Sequence, residues 1–137
     1  MMTQITRVEV VVAQQLWVGV DARKTDHHCV VIDADGNRLL SQRVANDEAV
    51  LLELITAATT LADGGEITRA IDLNGGGAAL LICLLMAAEQ RLLYIPGRTV
   101  YHASGSCRGE GKTDAKDAAI IADQARMRRD LQPLRAR

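Results

Sequence analysis

Apolar positions in the first third of the chain come in short runs broken by turn residues, and further along they shift to helical spacing. Leu16 to Asp21 is a compact apolar run of the kind that forms a buried strand, and His28 to Ile32 is a second. The turn cluster Asp33-Ala34-Asp35-Gly36-Asn37 separates it from Leu39 to Val44, which alternates roughly in polarity, so the three segments predict two antiparallel connections. Asn46-Asp47-Glu48 supplies a helix start, and Leu51, Leu52, Leu54, Ile55 and Leu61 mark an apolar face that Gly64-Gly65 closes. Ile67 to Leu73 reads as a strand and Gly75-Gly76-Gly77 as a tight turn. Ala78 to Gln90 then reads as an apolar helix, and Leu92 to Ile95 as a strand stopped by Pro96-Gly97. After a glycine- and serine-rich loop, a last helix is predicted from about Asp114 to Arg129. The order β-β-β-α-β-α-β-α predicts an α/β fold: a mixed sheet of strand order 3-2-1-4-5 with helices packed on it. Residues 1–15 precede the first strand and read as an N-terminal extension.

Composition narrows the function classes. The chain has 137 residues, of which 48% are hydrophobic and 24% charged, enough for one soluble domain with a core of ordinary size. With no Phe, and only Trp17, Tyr94 and Tyr101 as aromatics, the core is aliphatic and the composition does not favour platforms for stacking bases as its device. Cys29, Cys83 and Cys107 are odd in number and far apart, which builds neither a disulfide framework nor a paired-cysteine zinc site and points to a reducing cytoplasm. No secretory leader or membrane span is read in the sequence. The net charge of −1 is unevenly placed: residues 1–97 hold 7 Lys or Arg against 12 Asp or Glu, and residues 98–137 hold 9 against 5. The basic end suits contact with a nucleic-acid backbone, with Lys112, Lys116, Arg126, Arg128 and Arg129 as the candidates, although arginines in a last helical turn also suit the helix dipole.

Four carboxylates carry the candidate chemistry. Asp114 and Asp117 stand at i and i+3 in the first turn of the last helix, where they share a face; the same spacing serves a cap and its N3 partner. Asp21 ends the first strand and Asp72 lies near the end of the fourth. If those strands are neighbours, their backbones lie about 4.8 Å apart and the acidic side chains emerge side by side. Charges in strands that otherwise read as buried are costly unless paired or bound to a cation. The hard oxygen donors of Asp21, Asp72, Asp114 and Asp117 suit magnesium or manganese, and two such ions would stabilise attack and departure at a phosphodiester. Other motifs are weaker. Ser106 to Thr113 misses a Walker A loop by one misplaced glycine, Gly75-Gly76-Gly77 lacks the spacing of a dinucleotide fingerprint, and the adjacent His27 and His28 point to opposite faces of a strand, read here as an ordinary strand edge.

Val18-Gly19-Val20-Asp21-Ala22-Arg23-Lys24, Ala70-Ile71-Asp72 and Lys112-Thr113-Asp114-Ala115-Lys116-Asp117-Ala118 together resemble the N-terminal domain of the DEDD transposases of bacterial insertion sequences, the group related to pilin-gene invertases. The resemblance implies a ribonuclease-H-like fold over residues 16–130. It also implies four acidic residues holding Mg2+ or Mn2+ for DNA strand cleavage and exchange: Asp21, Asp72, Asp114 and Asp117. The family pattern has Glu at the second position, where this chain has Asp72, one methylene shorter. Family members continue through a helical linker, here expected to start within residues 131–137, into a domain whose serine is the proposed nucleophile; Ser104 and Ser106 do not replace it. The resemblance therefore implies a transposase acting on DNA, incomplete as a fragment. Its further implications are a homo-oligomer when full length and, in some members, a structured noncoding RNA as partner. The competing reading is a non-catalytic nucleic-acid-binding or nucleotide-binding α/β module.

Overall fold

A computed structural model describes residues 14–72, 77–95, 114–128 and 131–133. Strands β1 (Leu16–Ala22), β2 (Asp26–Ile32) and β3 (Arg38–Ala45) are followed by helix α1 (Glu48–Ala62). Strand β4 (Ile67–Asp72), helix α2 (Ala79–Ala87), strand β5 (Leu92–Ile95), helix α3 (Asp114–Met127) and the two-residue strand β6 (Gln132–Pro133) complete the order. The sheet runs β3-β2-β1-β4-β5-β6. The first three strands pair antiparallel, β1, β4 and β5 pair parallel, and β6 returns antiparallel on β5. The expected order 3-2-1-4-5 is therefore the observed one, and residues 132–133 extend it by a strand too short to leave a periodic signal.

Alternation along β1 divides the interior into two layers. Leu16, Val18, Val20 and Ala22 point to one face, where Cys29, Val31 and Ile71 join Leu51, Leu54 and Ala58 of α1 and Leu81 and Leu85 of α2. The opposite face carries Val30, Ile32, Ala70, Leu93 and Ile95 and is covered by Ala118, Ile121, Ala122 and Ala125 of α3. Trp17 packs against both clusters on that second face. Asp47 caps α1 by accepting from Val50 N–H at 3.2 Å, and the helix closes on Asp63, whose left-handed backbone (φ 50°) turns its N–H back to Thr59 and Thr60.

Gly19, at the centre of β1, fixes how closely α3 approaches. A Cβ built there would stand 2.2 Å from Ala118 O and 2.3 Å from Ala122 N, both backbone atoms of the helix. Only a residue without a side chain lets the helix lie directly on the strand, and Ala118 and Ala122 are the small residues that complete the contact. Direction follows from the far end of the helix. Arg126 Nη1 donates to Ala34 O in the β2–β3 turn, beside the start of β1, so α3 runs against β1 and its first turn lies over the Asp21 end. No helix among the described residues is long and apolar enough to cross a membrane.

Candidate metal centre

Asp21 and Asp72 are direct partners in the parallel β1–β4 register. Partners in register share a face, and Asp21 falls on the same side of β1 as Trp17 and Gly19, the side that α3 covers. Asp21 is only 8% exposed, which singles it out among the acidic residues of the described strands. Its Oδ2 lies 3.3 Å from Arg23 Nη2, a guanidinium about half exposed, so one cation already stands on this carboxylate. Asp72 is half-buried. Asp117 sits in the first turn of α3, half-buried, with Oδ1 shut off from solvent and without a hydrogen-bond partner among the described residues. A buried carboxylate oxygen with nothing bound to it is costly, and a cation would satisfy it. The donor set is all oxygen, which suits Mg2+ or Mn2+. Asp114 is the first residue of α3, and its side chain lies outside what the structure describes. Among the described residues no three of His, Cys, Asp or Glu stand together closely enough to hold a metal ion. Asp21 and Asp72 are thus brought side by side and Asp117 is placed on the overlying helix, in an open arrangement with Arg23 on Asp21.

A buried polar network holds the end of β1 that carries Asp21. His27 is 1% exposed, accepts the Arg23 N–H on Nδ1 at 3.1 Å, and meets Asn46 Oδ1 through Nε2 at 3.2 Å. Asn46 Nδ2 donates to Lys24 O at 2.9 Å and to Gly77 O at 3.3 Å, leaving Oδ1 as the acceptor and assigning the proton to His27 Nε2. Gly77, at φ 78°, lies against the Arg23 carbonyl so closely that a Cβ would stand 2.4 Å from it. The β1–β2 turn is in this way tied to the segment that follows β4. Burial lowers the His27 pKa from 6.5, opposed by the Asn46 hydrogen bond and by Asp26.

The reading of His27-His28 as a strand edge is corrected: β2 is flanked by β1 and β3, and His27 is an interior group of this network. His28 does face the other way, and its Nε2 lies 2.9 Å from Ser41 Oγ. Nothing in the sequence singled out Asn46 beyond its place before a helix, or Arg23 as the partner of Asp21. Arg69 was missed too; it is 3% exposed within β4, with Nη1 on Gln90 Oε1 and Nη2 buried without a partner among the described residues.

The candidate phosphate contacts separate. Lys116 lies in the first turn of α3, half-buried, near Asp117. Arg126 is at the opposite end of the helix, held to Asp123 Oδ1 at 2.9 Å and to Ala34 O at 3.3 Å. Arg126 and Arg128 line a cavity of about 530 Å³ with Trp17, Thr68 and Arg91, at the end of the sheet away from Asp21. Lys112 and Arg129, the Ser106–Thr113 loop, Ser104, Gly75 and Gly76 lie outside the described residues.

Comparison with known proteins adds an independent finding. A family model described as Transposase, of the DEDD type of IS110 elements, matches residues 18–137. An uncharacterized 42 kDa protein of insertion element IS900 from Mycobacterium paratuberculosis is 81% identical over 124 residues, covering 90% of this chain and 31% of that protein. An uncharacterized 44.8 kDa protein of IS116 from Streptomyces clavuligerus is 52% identical over 120 residues, covering 88% and 29%. The chain spans about a third of the length of these curated relatives. Among solved structures, T. thermophilus RuvC in complex with a Holliday junction substrate matches with a TM-score of 0.62 at 15% identity, over 88% of this chain and 99% of that one. A second T. thermophilus RuvC structure matches at 0.60 and 14%, over 87% and 99%. At such identity the likeness is one of fold, and the fold is ribonuclease-H-like.

Proposed function

Because the chain belongs to the DEDD transposase family of IS110-type insertion elements, we propose that it forms the metal-binding part of a DNA transposase, with Asp21, Asp72, Asp114 and Asp117 as ligands of Mg2+ or Mn2+. The observation that carries this reading is the direct pairing of Asp21 with Asp72 on the face beneath α3, where Asp117 keeps a buried oxygen without a partner among the described residues. Bound there, the metal would supply a Lewis acid for a phosphodiester and an activated water. The protein's own contribution is to orient: Gly19 seats α3 on β1, and the His27–Asn46 network holds the Asp21 end of the strand. Lys116, one residue from Asp117, would meet a phosphate at the site, whereas Arg126 and Arg128, with Arg129, would meet the backbone at a distance from it. DNA as partner is supported by the family and by the junction bound to RuvC in its complex. Strand exchange, a homo-oligomer and any structured RNA partner belong in this proposal to the longer protein, of which a region like this one is about a third.

The test is thermal melting with and without millimolar Mg2+ or Mn2+. Asp21 and Asp72 stand side by side and Asp117 keeps a buried oxygen with no partner among the described residues, so metal should raise the melting temperature; Asp117→Asn, which removes that charge, should raise the metal-free value and abolish the response. Equal melting of the parent chain in both conditions would leave the Asp114–Asp117 pair as a helix-capping arrangement and remove the metal reading.

A further inference from the structure

Arg23 stands directly on one of the proposed metal ligands. Its Nη2 lies 3.3 Å from Asp21 Oδ2, and its side chain is 51% exposed, whereas the carboxylate it meets is nearly buried. The position is built rather than incidental. The Arg23 N–H is shared between Asp26 O at 3.1 Å and His27 Nδ1 at 3.1 Å, and the Arg23 carbonyl is pressed on Gly77, where no side chain fits. The backbone of Arg23 is therefore fixed from three sides, while its side chain is half exposed.

A divalent cation on Asp21 and the Arg23 guanidinium on its Oδ2 would repel each other at this range, so metal binding weakens the hold of Arg23 on the carboxylate. From the ion pair and its fixed backbone we infer that Arg23 is a mobile counter-ion of the site: it neutralises Asp21 while metal is absent, and on metal binding it turns to a phosphate oxygen of the DNA strand at the metal. The inference rests on the metal reading above and adds a residue and a role to it. Arginine suits the second task, since its planar fork matches the non-bridging oxygens of a phosphate and stays charged at any relevant pH. The short path between the two positions follows from the placement of Arg23 two residues after Asp21 on an anchored turn.

Two opposite effects follow from one substitution. Arg23→Gln removes the competitor for Asp21, so the Mg2+ concentration at half-maximal melting shift should fall roughly two- to fivefold, a modest change because the pair is half exposed and screened. The same variant should bind a fluorescent DNA duplex roughly tenfold more weakly in Mg2+, with a salt slope smaller by about one phosphate contact, and should bind as the parent does in EDTA. Arg23→Lys keeps the charge and should restore the parent Mg2+ midpoint. A residue serving only the fold would lower both affinities together or neither. If Arg23→Gln weakens Mg2+ binding, or leaves DNA affinity in Mg2+ unchanged, the handover is wrong while the metal reading stands. If the parent chain shows no Mg2+ response at all, both fail.

Discussion

The seating of α3 on Gly19 is also the most exacting test of how the site is placed. Gly19→Ala adds a methyl 2.2 Å from Ala118 O, 2.3 Å from Ala122 N and 2.9 Å from Ala122 Cα. All three are backbone atoms of one helix, so no side chain can swing aside. Reaching 3.4 Å, the short end of ordinary contact, from 2.2 Å requires α3 to lift from β1 by about 1.2 Å. A gap of that size forfeits a large share of the dispersion energy of the buried Ala118, Ile121, Ala122 and Ala125, and overpacking of this kind costs about 3 kcal/mol or more. For a domain of this length that corresponds to a fall in melting temperature on the order of 10 °C. Urea titration of parent and variant measures it, and Gly64→Ala supplies the contrast: it has nothing within 4 Å and φ 89°, so it pays only backbone strain, about 1 kcal/mol. Because Asp117 rides on the same helix, Gly19→Ala should also weaken the Mg2+-induced stabilisation relative to its own metal-free state. A Gly19→Ala chain within 0.5 kcal/mol of the parent, on the ~1 kcal/mol scale of typical substitutions, would refute the seating of α3 on β1.

Three further outcomes are expected. His27 is neutral in the fold and its pKa is lowered by burial, so below pH 6.5 the unfolded chain takes up a proton that the folded chain resists. Stability should be full above that pH and fall as the pH drops beneath it; His27→Gln should flatten that part of the curve, and an unchanged slope in denaturation at pH 5.5 and 7.5 would contradict the assignment. Asn46→Ala strands the His27 Nε2–H and the Lys24 and Gly77 carbonyls, which should cost about 1–3 kcal/mol in urea titration, whereas a loss under 0.5 kcal/mol would mean that the network does not hold the turn. Cys29 is fully buried and its thiol is pushed up to about 12, largely by desolvation, so in a chain carrying Cys83→Ser and Cys107→Ser it should resist a thiol reagent at pH 8 until denaturant is added; prompt reaction would contradict its burial.

Local pattern was enough for the elements and for much of their arrangement. Short apolar runs separated by the Asp33–Asn37 turn force a meander of β1, β2 and β3, and helices between later strands force parallel crossovers, so the order 3-2-1-4-5 follows from connection length and handedness. Asp21 and Asp72 stood out along the sequence as charges in segments that read as buried, and Asp117 by its i, i+3 spacing from Asp114 at the start of the last helix. The tertiary structure decided what stands against them. The register that makes Asp21 and Asp72 partners, the seating of α3 on Gly19, and the meeting of His27, Asn46 and Gly77 all join residues distant in sequence. None of these contacts has a periodic or compositional signature, since each partner is an ordinary residue for its own element. Arg23 shows the same limit at short range: two residues from Asp21 it reads as a turn residue, and only the direction imposed by His27, Asp26 and Gly77 brings its guanidinium back onto the carboxylate. Side-chain identity sets which groups can interact, and the packing of the two helical layers on one sheet sets which of them do.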